Sequence, residues 1–164
     1  MSEVEAADLL IFTTPTYCMR ASAPMKSFID LTFNYWMVNR PRKCMFNKQA
    51  VVVSTAAGSG TKTAIKDITN TLLYWGVPSV MTYGISVQAM NWEGVVDNKK
   101  KKIEKDTEKI VHRILNTKCV KAGVKIKGLF MIMRMMQQKG WGSGEEEKKY
   151  WENNGWFGKG RPWK

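Results

Sequence analysis

Histidine is nearly absent from this chain and cysteine is scarce, and each shortage removes a class of chemistry. His112 is the single histidine among 164 residues. It has no serine or cysteine partner at a recognisable spacing, so a histidine-dependent hydrolase is poorly supported and His112 reads as structural or exposed. Cys18, Cys44 and Cys119 form an odd set without a C-x-x-C pair, which indicates neither a disulfide framework nor a metal site. No apolar run approaches the roughly 18 residues of a membrane span. The opening Ser2 to Asp8 is acidic, unlike the basic start of a signal peptide. These shortages set the expectation of a soluble, cytoplasmic chain with reduced thiols and no transmembrane segment.

Acidic residues are also few, 14 against 26 basic ones, for a formal charge of +12. The imbalance is local. Through Asn98 the chain carries eight basic and seven acidic residues, and from Lys99 onward eighteen and seven. Such a segment suits a membrane surface, nucleic acid or a cofactor phosphate, but a solvated helix face is the favoured reading. The lysine-rich stretch lacks interleaved aromatics and a recognisable binding fold, so no specific nucleic acid is expected as a partner.

What is present is a repeating pattern of short apolar runs and amphipathic stretches. Leu9–Phe12, Ala50–Ser54 and Ser79–Tyr83 read as strands, the first closed by Pro15. A helix begins near Pro24, with Met25, Phe28, Ile29 and Trp36 on one face. A second carries Ile65, Ile68, Leu72 and Trp75 and stops at Gly76 before Pro78. Strand, helix, strand, helix, strand predicts an α/β fold with a parallel sheet. Asp97 to Asn116 reads as an amphipathic helix with a lysine-rich face. The methionine-rich stretch Val124 to Gln138 could lie on a membrane surface, but docking on the core is the favoured reading, because methionines fill irregular packing gaps. The tail from Tyr150 to Trp163 is dense in tryptophan, which needs a surface to cover. Residues 1–122 are expected to form the α/β domain, with 123–164 packed on it.

Two loops face the carboxyl ends of the predicted strands, where open α/β sheets bind ligands. Thr13 to Ser22 is longer than a plain connector needs. Gly58-Ser-Gly60-Thr-Lys62-Thr63 sits at a strand-to-helix junction but fits neither phosphate-binding pattern, since Thr61 separates Gly60 from Lys62 and Thr63 stands where a third glycine belongs.

Thr14-Pro15-Thr16-Tyr17, then Ser22, Met25-Lys26, Phe28 and Asp30, resembles the S-P-x-Y, S, x-K, F, D signature of NAD(P)H-dependent FMN reductases, a flavodoxin-like family. Thr14 stands where the family often has serine. The resemblance extends from Ala7 through the tail, which is similar to the tails of clostridial-type members. It implies a flavodoxin-like three-layer sandwich read from its third strand onward, and so N-terminally truncated, without the first strand and its phosphate-binding loop. It also implies that Pro15, Thr16, Tyr17 and Cys18 line the isoalloxazine ring of FMN and that Ala57, Gly58, Ser59 and Gly60 pack beside it. Trp92 would shield the ring or shape the substrate pocket; plain hydrophobic cover is the other reading.

The activity so implied is electron transfer from NAD(P)H through FMN to a small-molecule acceptor, with the flavin carrying the chemistry and no catalytic side chain assigned. The alternative is a non-catalytic remnant or interaction module of the same family. A homodimer is expected, because the family commonly dimerises and the strand at Leu9 would otherwise be a bare apolar edge.

Overall fold

The computed structural model describes residues 1–141 and 144–164. Three parallel strands form its centre: β1 (Leu9–Tyr17), β3 (Gln49–Ala56) and β4 (Ser79–Ser86). A two-residue strand, β2 (Arg20–Ala21), turns back antiparallel onto the end of β1, giving the order β2-β1-β3-β4. Helices α1 (Ser2–Ala6), α2 (Ala23–Leu31), α3 (Thr61–Trp75), α4 (Asp97–Asn116), α5 (Val124–Gln138) and α6 (Glu145–Asn153) surround the sheet. The α/β class and the parallel pairing are as the sequence predicts.

Pro15 does not end the first strand. The ladder runs on through Pro15 opposite Thr55, and the expected long loop is a strand end plus a hairpin. Proline lacks an N–H but is tolerated here because β2 begins only opposite Thr16, so at Pro15 the outer side of β1 carries no ladder among the described residues.

The two faces of the sheet are treated differently. Leu10 on β1 and Ala50 and Val52 on β3 share a face with side chains of α2 and α3, including Ile29, Ile68 and Leu72, in one buried cluster. At its centre is Trp75, fully buried, with Phe12, Phe28 and Tyr35 set edge-on or nearly so at centroid distances of 6.3, 6.2 and 5.5 Å. Helix α3 stops at Gly76, which adopts φ +92; a Cβ there would lie 2.6 Å from the Phe46 ring. Only glycine gives both the left-handed cap and the room.

The opposite face is covered in a gradient. Across one row Met81 and Val51 are each 5% exposed, whereas Ile11 on β1 is 62% exposed. Helix α4 stands over the β4 side, where Ile103 and Thr107 line a cavity with Tyr83 and Ile85. None of its residues is fully buried.

A second cluster joins α5, α6 and the tail to the segment between α2 and β3: Met37, Phe46, Ile126, Phe130, Trp151 and Trp156. The methionine-rich helix thus docks on the molecule through Ile126 and Phe130. Polar anchors fix the tail. Trp151 Nε1 donates to Asn39 O at 2.8 Å, Tyr150 Oη to Pro41 O at 2.9 Å, and Arg40 pairs with Glu146 and Glu147. Among the described residues no helix is long and apolar enough to cross a membrane.

Candidate functional site

The carboxyl ends of β1 and β3 carry two turns that lock into one another. Cys18 and Met19, which join β1 to β2, both lie in the left-handed region, at φ 48° and 66°. Such a pair closes a tight two-residue hairpin of the type that favours Asn-Gly. Non-glycine residues held there are strained, and strain of this kind gathers at functional sites. The hairpin is pinned to α3 by Arg20, whose Nε and Nη2 donate to the two carboxylate oxygens of Asp67 at 3.0 and 2.7 Å.

The second turn, Ala57 to Gly60, leads from β3 into α3. Gly60 has φ +98, and a Cβ on it would sit 2.7 Å from Thr16 Cγ2 and 3.0 Å from Met19 Cα. Gly60 is therefore what lets the two turns touch. Ser59 Oγ reaches Met19 Sδ at 3.5 Å, and Thr16 Oγ1 shares a 2.8 Å hydrogen bond with Ser54 Oγ. Behind them Ser22 N donates to Thr14 Oγ1 at 3.0 Å, tying the hairpin's exit to its entry. Ser86 Oγ donates to Gly58 O and brings the end of β4 to the same place.

Trp92 stands to one side, half exposed, with Lys100 Nζ 5.8 Å from its ring centroid. It lines an apolar cleft of about 370 Å³ with Val53, Thr55, Tyr83 and Ile85. Val53 and Thr55 also floor a shallower hollow beside Pro15. Pro15 and Trp92 thus flank the same two β3 residues.

The Tyr83 hydroxyl is buried in this region without a hydrogen-bond partner. Its pKa is pushed up, chiefly by burial and then by the negative charge of Asp106, with Lys102 opposing. The phenol is therefore a neutral donor near neutral pH. Sequence reading missed Tyr83, Ser54 and the Arg20–Asp67 pair. Strand register could have found the first, because Tyr83 lies in the row of Thr13 and Val53. No local signal marks the ion pair, whose partners are 47 positions apart.

A parallel α/β sheet with a glycine turn and a strained hairpin meeting at its carboxyl edge has these turns where open α/β sheets bind ligands. Sequence comparison gives the family: a profile for NADPH-dependent FMN reductase matches residues 1–91, and the chain belongs to that family. The match takes in all four strands and both turns. No curated protein matches the sequence. Among solved structures, a flavodoxin, the WrbA-like protein of Agrobacterium tumefaciens, is 20% identical with a TM-score of 0.40, over 52% of this chain and 50% of that one. General stress protein 14 of Treponema denticola, solved in complex with FMN, is 12% identical with a TM-score of 0.44, over 68% of this chain and 67% of that one. This chain spans about half the length of the first of these.

The residues present fit the ring of a flavin. The cleft is apolar and of a size for a flat ring, and Tyr83 and Trp92 line it; the Gly60 turn packs on Thr16 and Met19 rather than on the cleft itself.

Proposed function

We propose that this chain is an FMN-dependent oxidoreductase that takes electrons from NAD(P)H and delivers them to a small acceptor. The observation that carries this reading is the interlock of the Cys18–Met19 hairpin with the Gly58–Gly60 turn beside the cleft under Trp92. When bound, FMN would supply the redox chemistry between a nicotinamide donor and the acceptor. The chain's own share is positional. Backbone at Pro15, Thr16, Tyr17 and Cys18 edges the ring, Ala57, Gly58, Ser59 and Gly60 close on it, and Trp92 covers it from the α4 side. Tyr83, which lines the cleft, would contribute its ring to the floor. No side chain needs to move a proton, because the site's work is to orient and to exclude water.

The test is FMN-dependent oxidation of NADPH and NADH by the purified chain, with a quinone as acceptor. Turnover should need added or retained FMN and fall about tenfold or more in Gly60→Ala, which pushes the two turns apart. Absence of any flavin-dependent oxidation refutes the reading.

A second reading has an observation of its own. From Leu9 to Pro15 the outer edge of β1 has no strand beside it among the described residues, since β2 covers only Thr16 and Tyr17. A flavin phosphate extending past this edge would meet no neighbouring strand or loop there among the described residues, as in a family member retained as an interaction module. Flavin-free protein that gains none on titration favours this alternative.

The same edge supports a homodimer. Leu9 to Tyr17 carries no charged side chain, so two copies can pair along it without like-charge repulsion. Sedimentation should show a dimer that Ile11→Lys converts to monomer, and a stable wild-type monomer at high concentration refutes it.

A further inference from the structure

At the amino end of the sheet, away from both turns, lies a cavity of about 570 Å³ that the redox reading does not use. It is bounded by the segment leading into β3, by the approach to α5 and by the tail. Strand β3 alone, with its eight residues, separates the two regions by roughly 23 Å. Phe46, Ala122 and Trp163 give it an apolar wall, and Lys43, Lys121 and Lys127 stand around its rim.

Two features mark it as a site rather than a packing gap. Its size falls within the range of small-molecule pockets, about 300–1,000 Å³. And Lys43, Lys121 and Lys127, all three exposed and all lining the same cavity, have no carboxylate within ion-pair distance among the described residues. Three ammonium groups lining one cavity, with the Lys164 side chain as a fourth, give it a positive rim that favours an anion. The wall asks for something else. Trp163 is only part-buried, is held edge-on to Phe130 at a centroid distance of 5.2 Å, and has Lys127 Nζ 5.9 Å from its own centroid. An aromatic face fixed beside a cation suits a flat ring that carries a negative group.

We propose that this cavity is a second binding site, for a small aromatic anion whose ring lies on Trp163 and whose carboxylate or phosphate is held by Lys43, Lys121 and Lys127. The proposal does not rest on the flavin reading. The site is assembled from both ends of the chain, with Lys43 and Phe46 lying inside the family match and the other lining residues named outside it. Occupancy would therefore clamp the tail to the sheet domain.

Calorimetric titration of the full chain tests this with four probes: 2-naphthoate, adenosine monophosphate, neutral 2-naphthylmethanol and inorganic sulfate. One site per chain is expected for an aromatic anion, with Kd below about 1 mM, and with naphthylmethanol and sulfate each at least about tenfold weaker. Tighter naphthoate assigns the site to aryl acids, and tighter adenosine monophosphate to nucleotides. Lys43→Glu with Lys127→Glu, both exposed positions, should abolish binding while near-ultraviolet dichroism stays unchanged. Should that variant misfold, weakening of wild-type binding as salt rises is the substitute readout. The proposal is overturned if neither aromatic anion saturates, if sulfate or naphthylmethanol binds as tightly, or if Gly60→Ala, at the flavin site, weakens the probe as much as the lysine double variant does, which would assign binding to the flavin cleft.

Discussion

Cys18 and Met19 are costly residues for the conformation they hold, since a left-handed backbone disfavours most side chains by about 1–2 kcal/mol. Asparagine tolerates that region, so Cys18→Asn should raise stability by about 0.5–1 kcal/mol in urea unfolding. No gain would mean that the hairpin is not strained. Gly60→Ala should act in the opposite sense, costing about 1–3 kcal/mol, because it adds a Cβ in van der Waals overlap with Thr16 at a positive φ. The sequence offered Pro15 to Cys18 and Ala57 to Gly60 as facing loops, and their positions along the chain were legible. The strain was not, since nothing in Cys-Met announces a left-handed pair. Nor could Pro15 be read as mid-strand, because only the lack of a ladder on the outer side of β1 there, among the described residues, makes it tolerable.

The helices divide by what they bury. Helix α3 was legible from its apolar spacing and from Gly76, and the structure adds that Trp75 anchors three other rings. Docking of α5 on the core was the reading its methionines favoured, but which residues it meets was not legible, because nothing in the stretch marks a particular partner. Phe130 makes that contact. The ring is fully buried, stacked on Trp151 at 4.9 Å and edge-on to Trp156 at 5.6 Å. Phe130→Ala should therefore cost about 3–5 kcal/mol in equilibrium unfolding. A cost below about 1 kcal/mol would mean that α5 and the tail do not form a packed unit with the rest.

Across the whole molecule, titration and cofactor binding are the two global readouts. Burial, with a hydrogen bond to Glu5, pushes Tyr35 above the ordinary phenol value, against the opposing pull of Arg42; burial, with Asp106, does the same for Tyr83. Groups whose folded pKa is raised add stability that is present below about pH 10 and lost as pH climbs through the folded values. The melting temperature should fall above about pH 10, and fall less steeply in Tyr35→Phe with Tyr83→Phe. Equal slopes in the two proteins would remove both phenols from the account.

The central claim is that the two turns and the Trp92 cleft hold a flavin, and equilibrium titration of the purified chain with FMN, followed by flavin fluorescence, tests it most directly. The account predicts saturable binding of one FMN per chain, weakened about tenfold or more by Gly60→Ala and by Trp92→Ala. Flavin fluorescence unchanged at any concentration of folded protein, confirmed by dialysis showing no FMN retained, would contradict it.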